Sequence, residues 1–395
     1  MMGVIAECRE ACAGCTACYA ACPVQCITME RDEEGFLYPV ASDACIHCGR
    51  CEKVCPVSHR PEPRLIEQKG YVACSKSGEV WRASASGGAF SEICNVWADE
   101  RTLIAGAAWD GMSVRHICVM GPENIAPLRK SKYIASDLGD TFCCIKDHLQ
   151  SGEKAVFCGT PCQVAGLRAF LGREYENLLL IDLICHGAGS PAVFDACVDA
   201  MERHSGKAIA AYEFRAKREF YETGYLSKII YRDGSAPDYL VRDPYIQLFL
   251  SQNCLRPSCG ENCVFRTRQR QGDLTIADYK GSLDPFPHAI GSNRNFSSVV
   301  VNTEKGAGII SGLRQRMELD ECSMENICAS NPLFYRQAPG SAEREAFFAD
   351  FVRDCAGAVE KWTVPATLYK GNSRRRLYSK LPWGIRKILR RLRKG

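Results

Sequence analysis

Two cysteine runs near the start of the chain share one spacing. Cys12-x2-Cys15-x2-Cys18-x3-Cys22-Pro23 returns, 33 residues on, as Cys45-x2-Cys48-x2-Cys51-x3-Cys55-Pro56. A cubane of iron and sulfide needs four thiolates converging from different directions. Three closely spaced cysteines on one loop reach three irons, and the fourth ligand comes from elsewhere. In the paired arrangement the fourth cysteine of each run serves the other cluster. That assigns Cys12, Cys15, Cys18 and Cys55 to one [4Fe–4S] cluster, and Cys45, Cys48, Cys51 and Cys22 to a second. Zinc sites pair two CxxC or CxxC/His units, and C-x2-C-x2-C is not their pattern. Cys8 and Cys26 fall outside the repeat and are read as bystanders.

Further thiols follow: Cys158, Cys162 and Cys185, then Cys254, Cys259 and Cys263 in NCLRPSCGENC. An isolated cysteine usually serves as a small buried hydrophobe. That reading covers Cys74, Cys94, Cys118, Cys143, Cys144, Cys197, Cys322, Cys328 and Cys355. Cys259-x3-Cys263, flanked by Pro257 and Gly260, belongs to a turn and not to an apolar face. SASGGAFSEI (84–93) is a Ser/Gly turn feeding a helix, the layout of a phosphate seat or of a plain helix cap. VFCGTPCQVAG (156–166) repeats that layout. Gly187-x-Gly189-x-x-Ala192 is formally a dinucleotide fingerprint. Pro191 inside it, and the lack of an acidic residue ending a strand at the expected distance, argue against it.

These residues need a scaffold. The fold expected is α+β: a small cluster-binding domain built on the cysteine repeat, then an α/β domain. YVACS, TLIAGAAW, KAVFCG, LLLIDLIC and AIAAYEF are strand-like runs. DLGDTFCCIKDHLQ and TPCQVAGLRAFL have helical apolar spacing. Such alternation places functional loops at strand ends. The expected division is a ferredoxin-type domain over 1–58, a Pro-containing linker over 59–70, the larger domain over 71–360 and a basic tail over 361–395.

The chain has 395 residues, 25 of them cysteine, and a formal net charge of +4. No run approaches the roughly 20 apolar residues of a membrane span. The N-terminus lacks the basic and apolar regions of an export signal. The expected compartment is the cytoplasm, where framework disulfides are rare and so many thiols point to metal or redox chemistry. The charge is uneven: 12 of 50 basic residues and none of 46 acidic ones lie from Lys361 onward. After Pro382, Ile385, Ile388, Leu389 and Leu392 make one apolar stripe, with Arg386, Lys387, Arg390, Arg391, Arg393 and Lys394 on the other arc. A helix lying in an anionic membrane surface fits this pattern. A disordered basic tail, or a helix docked on an acidic partner, fits it equally. Nucleic acid would leave the apolar stripe without a role.

The N-terminal repeat resembles a bacterial dicluster ferredoxin over about residues 8 to 58. GTPCQVAGL, DLICHG, LRPSC and GDLTIAD, with SASGGAF, LRKSKYIAS and VNTEKG, resemble the coenzyme F420 hydrogenase/dehydrogenase beta-subunit family from about residue 71 to 310. The resemblance implies FAD, a third [4Fe–4S] cluster, and electron movement between clusters and a hydride carrier. The third cluster's ligands, carried over by motif, are Cys162, Cys185, Cys259 and Cys263. Phosphate contacts for FAD are expected from Ser86, Gly87 and Gly88, with Ser131, Lys132, Gly159 and Thr160 as further candidates; Lys132 taken alone reads as a solvated surface lysine. Two departures stand out. The last cysteine pair is one residue longer than the family's Cys-x2-Cys, and the family's Asp-Phe-Trp-Gly reads Asp278-Tyr279-Lys280-Gly281.

Clusters pass single electrons and organic hydride carriers exchange two. A chain joining them needs a cofactor able to do both, and flavin meets that requirement. The expected function is an iron–sulfur flavoprotein oxidoreductase, served by a ferredoxin or other redox partner and acting on an organic acceptor, F420-like or other. An electron-transfer subunit without its own substrate, and a cluster-binding redox sensor or scaffold, are the alternatives.

Overall fold

The computed structural model describes residues 9–217, 226–236, 240–283, 285–286, 294–338 and 340–368. Cys8 and nearly all of the basic tail lie outside them. The N-terminal segment contains α1 (Ala17–Ala21), the hairpin β1 (Ile27–Arg31) and β2 (Leu37–Ala41), and α2 (Arg50–Lys53). The chain continues through β3 (Lys69–Ser75), α3 (Gly78–Arg82), α4 (Ala89–Trp97), β4 (Leu103–Asp110) and β5 (Ser113–Met120). Next come α5 (Thr141–Gln150), β6 (Ala155–Gly159), α6 (Pro161–Leu171), β7 (Leu178–Leu183) and α7 (Pro191–Ser205). β8 (Ile209–Glu213) and β9 (Lys228–Tyr231) form a hairpin, followed by β10 (Leu240–Val241) and α8 (Pro244–Leu250). The last part holds β11 (Leu274–Asp278), β12 (Ser297–Val301), α9 (Glu304–Gly308), α10 (Ile310–Arg316), β13 (Met317–Cys322) and α11 (Met324–Ser330). α12 (Arg344–Arg353), α13 (Cys355–Trp362) and β14 (Thr367–Leu368), which pairs with β10, complete it.

One eight-stranded sheet organises the larger part, in the order β13-β3-β12-β11-β7-β6-β4-β5. β11, β7, β6 and β4 run parallel, and β5, β12 and β13 join antiparallel. All five strand-like runs are strands, and both predicted helices form. β7 is buried along nearly its whole length, as a strand covered on both faces must be, so its sequence LLLIDL is a run and not an alternation. α6 starts where Thr160-Pro161 ends β6: the Gln163 side chain accepts from the Thr160 N–H at 2.9 Å, and Gly172 stops the helix at φ +66°. The expected linker is irregular through Gln68, but Lys69 and Gly70 already belong to β3. Gln68 is tied to Arg268 O and Asn302 Oδ1.

The N-terminal segment is built into the body. Cys15 and Ala17 share a core with Phe142, Phe157, Val164 and Leu167. Phe36 and Tyr38 share another with Phe194, Tyr245, Phe249 and Phe348. Glu34, at the hairpin tip, pairs with Arg344 of α12. A second lock lies inside the sheet. Buried Asp182 on β7 accepts from Arg270 Nη2 (2.9 Å), Thr275 Oγ1 (2.6 Å), Gln271 N (3.0 Å) and Gly272 N (3.1 Å). It therefore fixes the strand that leads to Cys185 against the chain that leaves Cys263.

Candidate cluster and cofactor sites

The repeat seen in the spacing is also a repeat of backbone. Gly14 and Thr16 have φ of +65° and +61°; His47 and Gly49, 33 residues later, have +53° and +69°. Each loop thus turns left-handed twice, and Thr16 and Gly49 then cap the two short helices α1 and α2. Burial pushes the Cys18 thiol up to about 12, and the neighbouring Cys12, Cys55 and Cys51 thiols add to that. Cys15 is also raised, first by burial and then by Cys18, Cys162 and Cys12. Cys12, Cys15, Cys18 and Cys55 are thus neighbours, with Cys51 close to the same group. In the second set Cys51 feels Cys45, while Cys48 is exposed. Cys26 is no remote bystander: its Sγ lies 3.4 Å from that of Cys22.

The third set assembles from three stretches. Cys162 is the second residue of α6, Cys185 follows β7, and Cys259 and Cys263 bracket a 3-10 turn, Gly260–Asn262. That turn, with Gly260 at φ +68°, absorbs the extra residue of Cys-x3-Cys. Burial raises Cys162 to about 12; its Sγ lies 3.1 Å from Thr160 Oγ1, and the Cys263 and Cys259 thiols add to the shift. Cys185 is pushed up further by burial, then by Cys259, Cys162 and Cys263. Ala188 N donates to Cys259 Sγ at 3.3 Å. Four half-buried thiols with one another as neighbours suit a soft iron–sulfur group, whose charge offsets thiolate desolvation. Among the described residues no three His, Cys, Asp or Glu side chains converge on a point as a single metal ion demands. The thiols of a cubane sit at separate irons and need no such point.

A cavity of about 460 Å³ opens beside this set, at the carboxyl ends of the parallel strands. Cys162 and Cys185 line both it and a second cavity, of about 280 Å³, that also touches Cys259 and Cys263. Of the residues expected at FAD, Ser86, Gly88, Ser131, Lys132, Gly159 and Thr160 line the larger cavity. Gly87 does not. Its N–H donates to Ser297 Oγ at 2.9 Å, and a Cβ there would strike Ala73 O and Ser297 N, so it is glycine for close packing on the sheet. Lys132 is no solvated lysine either. Its Nζ donates to the carbonyls of Ala107 (2.8 Å), Pro127 (3.0 Å) and Arg129 (2.7 Å), which commits it to holding that loop.

Other cavity residues gave no signal in the sequence. His116 is 4% exposed and stacks on Phe157. Burial holds it near 4, hence neutral; the Cys158 backbone lies against the ring, and neither ring nitrogen makes a hydrogen bond of good geometry. A buried imidazole so weakly engaged, facing a cavity, fits a polar-edged ring there. Arg215 donates to Tyr133 Oη (3.2 Å) and to Asp278, while exposed Lys280 stands at the cavity wall. The Gly187/Gly189 stretch offers no phosphate seat. Gly189 is pressed against Tyr245, and Ser190, the cap of α7, also donates to Glu34 O. Among the cysteines read as buried hydrophobes, Cys144 and Cys355 are exposed; Cys74, Cys94, Cys197, Cys322 and Cys328 are buried.

Comparison with known proteins finds two family matches along the chain. Residues 11–59 match the 4Fe-4S dicluster domain. Residues 152–326 match the family described as the C terminus of the coenzyme F420 hydrogenase/dehydrogenase beta subunit. No curated protein matches the chain. Among solved structures, a chain of the F420-reducing [NiFe] hydrogenase complex from Methanosarcina barkeri is 16% identical, with a TM-score of 0.39, covering 75% of this chain and 90% of that one.

Proposed function

We propose, for a chain that joins a 4Fe-4S dicluster domain to the C-terminal region of a coenzyme F420 hydrogenase/dehydrogenase beta subunit, that it is an iron–sulfur flavoprotein relaying electrons to or from an organic acceptor. One observation carries the reading. The Cys162–Cys185–Cys259–Cys263 set adjoins both the dicluster cysteines, through Cys15, and the cavity lined by Ser86, Gly88, Ser131 and Thr160, whose wall also takes in Ala13 and Gly14 of the first loop. FAD bound in that cavity would supply exchange between one-electron and two-electron chemistry.

The chain's residues supply position and charge. The N-terminal residues of α4 and α6 line the cavity, so the positive ends of both helices lie at its wall, a setting for phosphate. Arg129, whose Nε donates to Ser91 Oγ at 3.1 Å, brings positive charge to the same wall. Neutral His116 offers a donor and an acceptor to a ring. Arg215, oriented by Asp278 and Tyr133, faces the space left for an acceptor. The outer partner is a ferredoxin or similar redox protein. The basic tail holds the protein at an anionic membrane surface; no helix among the described residues is long and apolar enough to cross one.

Anaerobic reconstitution tests the reading: about twelve irons per chain, four for each cubane, and one FAD. Cys259→Ser should remove about four irons. Eight irons with Cys259→Ser without effect would end the third-cluster assignment, and absence of flavin absorbance would end the FAD assignment. Turnover of the isolated chain with a reduced dye separates an enzyme with its own substrate from a relay subunit.

A further inference from the structure

The two cysteine loops differ in what covers them. Gly14 and its repeat counterpart His47 share a left-handed φ, yet a Cβ on Gly14 would lie 2.9 Å from Arg256 Nη1 and 3.0 Å from its Cζ. His47 is exposed, as are Ile46 and Cys48 beside it. The first loop is thus pared to admit an arginine, and the second faces solvent.

Arg256 is 3% exposed. Its Nε donates to Cys12 O at 2.6 Å, its Nη2 to Leu37 O at 3.0 Å, and Nη2 also reaches Cys12 Sγ at 3.5 Å. The guanidinium lies 4.1 Å from the centre of the Tyr38 ring. None of these acceptors is a carboxylate; Glu34, already paired with Arg344, feels the charge only at longer range, and the thiolates are the anions within hydrogen-bond reach. The backbone of the same residue faces the third set: Arg256 N donates to Ala188 O, and Arg256 O accepts from Cys259 N, each at 2.9 Å. Ser258 Oγ adds a bond to Cys12 O at 2.9 Å.

We infer that Arg256 is the positioning residue of the relay junction: it seats the Cys12/Cys15/Cys18/Cys55 cluster as the inner member, against the Cys162/Cys185/Cys259/Cys263 set, and raises that cluster's reduction potential above the outer one's. The Cys22/Cys45/Cys48/Cys51 cluster is then the outer port. The inference rests on the reading that these sets hold clusters. Its physics is direct. Reduction adds negative charge to a cluster, and a buried cation at hydrogen-bond distance from a ligand favours that state.

Redox titration followed by electron paramagnetic resonance tests it on the full, reconstituted chain, with Cys15→Ser identifying the inner cluster's signal. Arg256→Met should make the inner cluster about tenfold harder to reduce, about 59 mV for one electron; the third set, whose Cys162 and Cys259 also feel this charge, should shift less and the outer cluster not at all. Arg256→Lys, which keeps the charge and loses the planar fork, should move it less. Ser258→Ala removes a neutral bond and should leave the potential in place. Gly14→Ala retains the arginine and displaces its guanidinium, so it should shift the inner midpoint the same way even where Arg256→Met fails to hold iron. Unmoved midpoints in Arg256→Met and Gly14→Ala, or a shift confined to the outer cluster, would overturn the assignment. A wild-type chain without clusters would overturn the parent reading as well, and the iron count reports that separately.

Discussion

Gly166→Val probes the seam between α6 and the first cysteine loop. Gly166 is buried, and an added Cβ would sit 3.0 Å from both Cβ and Sγ of Cys15 and 3.4 Å from its carbonyl oxygen. Ordinary van der Waals contact for a Cβ begins at 3.4 Å. Alanine gains about 1 kcal/mol of helix propensity over glycine, offset by moving Cys15 a few tenths of an ångström. The net effect should be close to zero. Valine adds two methyl groups with no space for them, and overpacking of that kind costs about 1–3 kcal/mol. At a factor of ten per 1.4 kcal/mol, the docked loop becomes about 5- to 150-fold less populated. The loop carries Cys12, Cys15 and Cys18, so the valine variant should lose up to about four irons and keep its flavin. Iron and sulfide counts, with urea unfolding of wild type, Gly166→Ala and Gly166→Val, measure this. Full iron and an unchanged unfolding midpoint in Gly166→Val would show that α6 does not press on the cysteine loop.

Asp182→Ala leaves Arg270 buried and unpaired and should lower stability by about 3–5 kcal/mol in urea unfolding; a loss below about 1 kcal/mol would refute the role of this lock. Burial brings Lys132 down to about 7 from an ordinary 10.5. The folded chain then holds fewer protons than the unfolded chain between those values, so stability rises with pH across that window. Lys132→Met should remove that contribution and leave the one from Lys217, which burial also brings down to about 7, so the gap between the two unfolding midpoints should widen from about pH 7 to 9; a constant gap refutes it. Truncation after Lys370 should abolish sedimentation with anionic liposomes, at about 1 kcal/mol for each basic residue engaged. Equal sedimentation of the full and shortened chains would remove the membrane role.

The dicluster cysteines were legible because their partners are either close in sequence or displaced by a fixed 33 residues. Of the parallel strands β4, β6 and β7 were legible as short apolar runs, and α6 by its helical apolar spacing. β5, β11, β12 and β13 were not recognised. SSVVV is buried throughout between β11 and β3, so it carries no alternation to mark it, and MELDEC mixes buried and exposed positions irregularly. The third cysteine set could be named from motif likeness, yet its closeness to Cys15 depends on the docking of α1 on α6, which no local pattern encodes. Lys132 and Gly87 were misjudged for a related reason. A lysine beside serines looks solvated, and a Gly-Gly turn looks like a phosphate seat, until loop carbonyls and a neighbouring strand occupy those places. Arg256 and His116 left no trace, since each acquires its meaning from residues more than 40 positions away.

The contact of Arg256 with Cys12 spans 244 positions, which sets an order on biogenesis. Ribosomes add about 5–20 residues per second, so Cys12 emerges roughly 12–50 s before the residue that covers it. Over that interval the first cysteine loop lacks Arg256 and Ser258, and stands open to iron donors and to oxidants alike. Iron delivery during translation would find both loops equally accessible. Once the sheet closes, the loop around Cys48 keeps its open face and the first loop does not. Slow synthesis under aerobic expression should therefore prolong the one period in which the first loop is open to damage, and repair after folding should reach the second loop more readily.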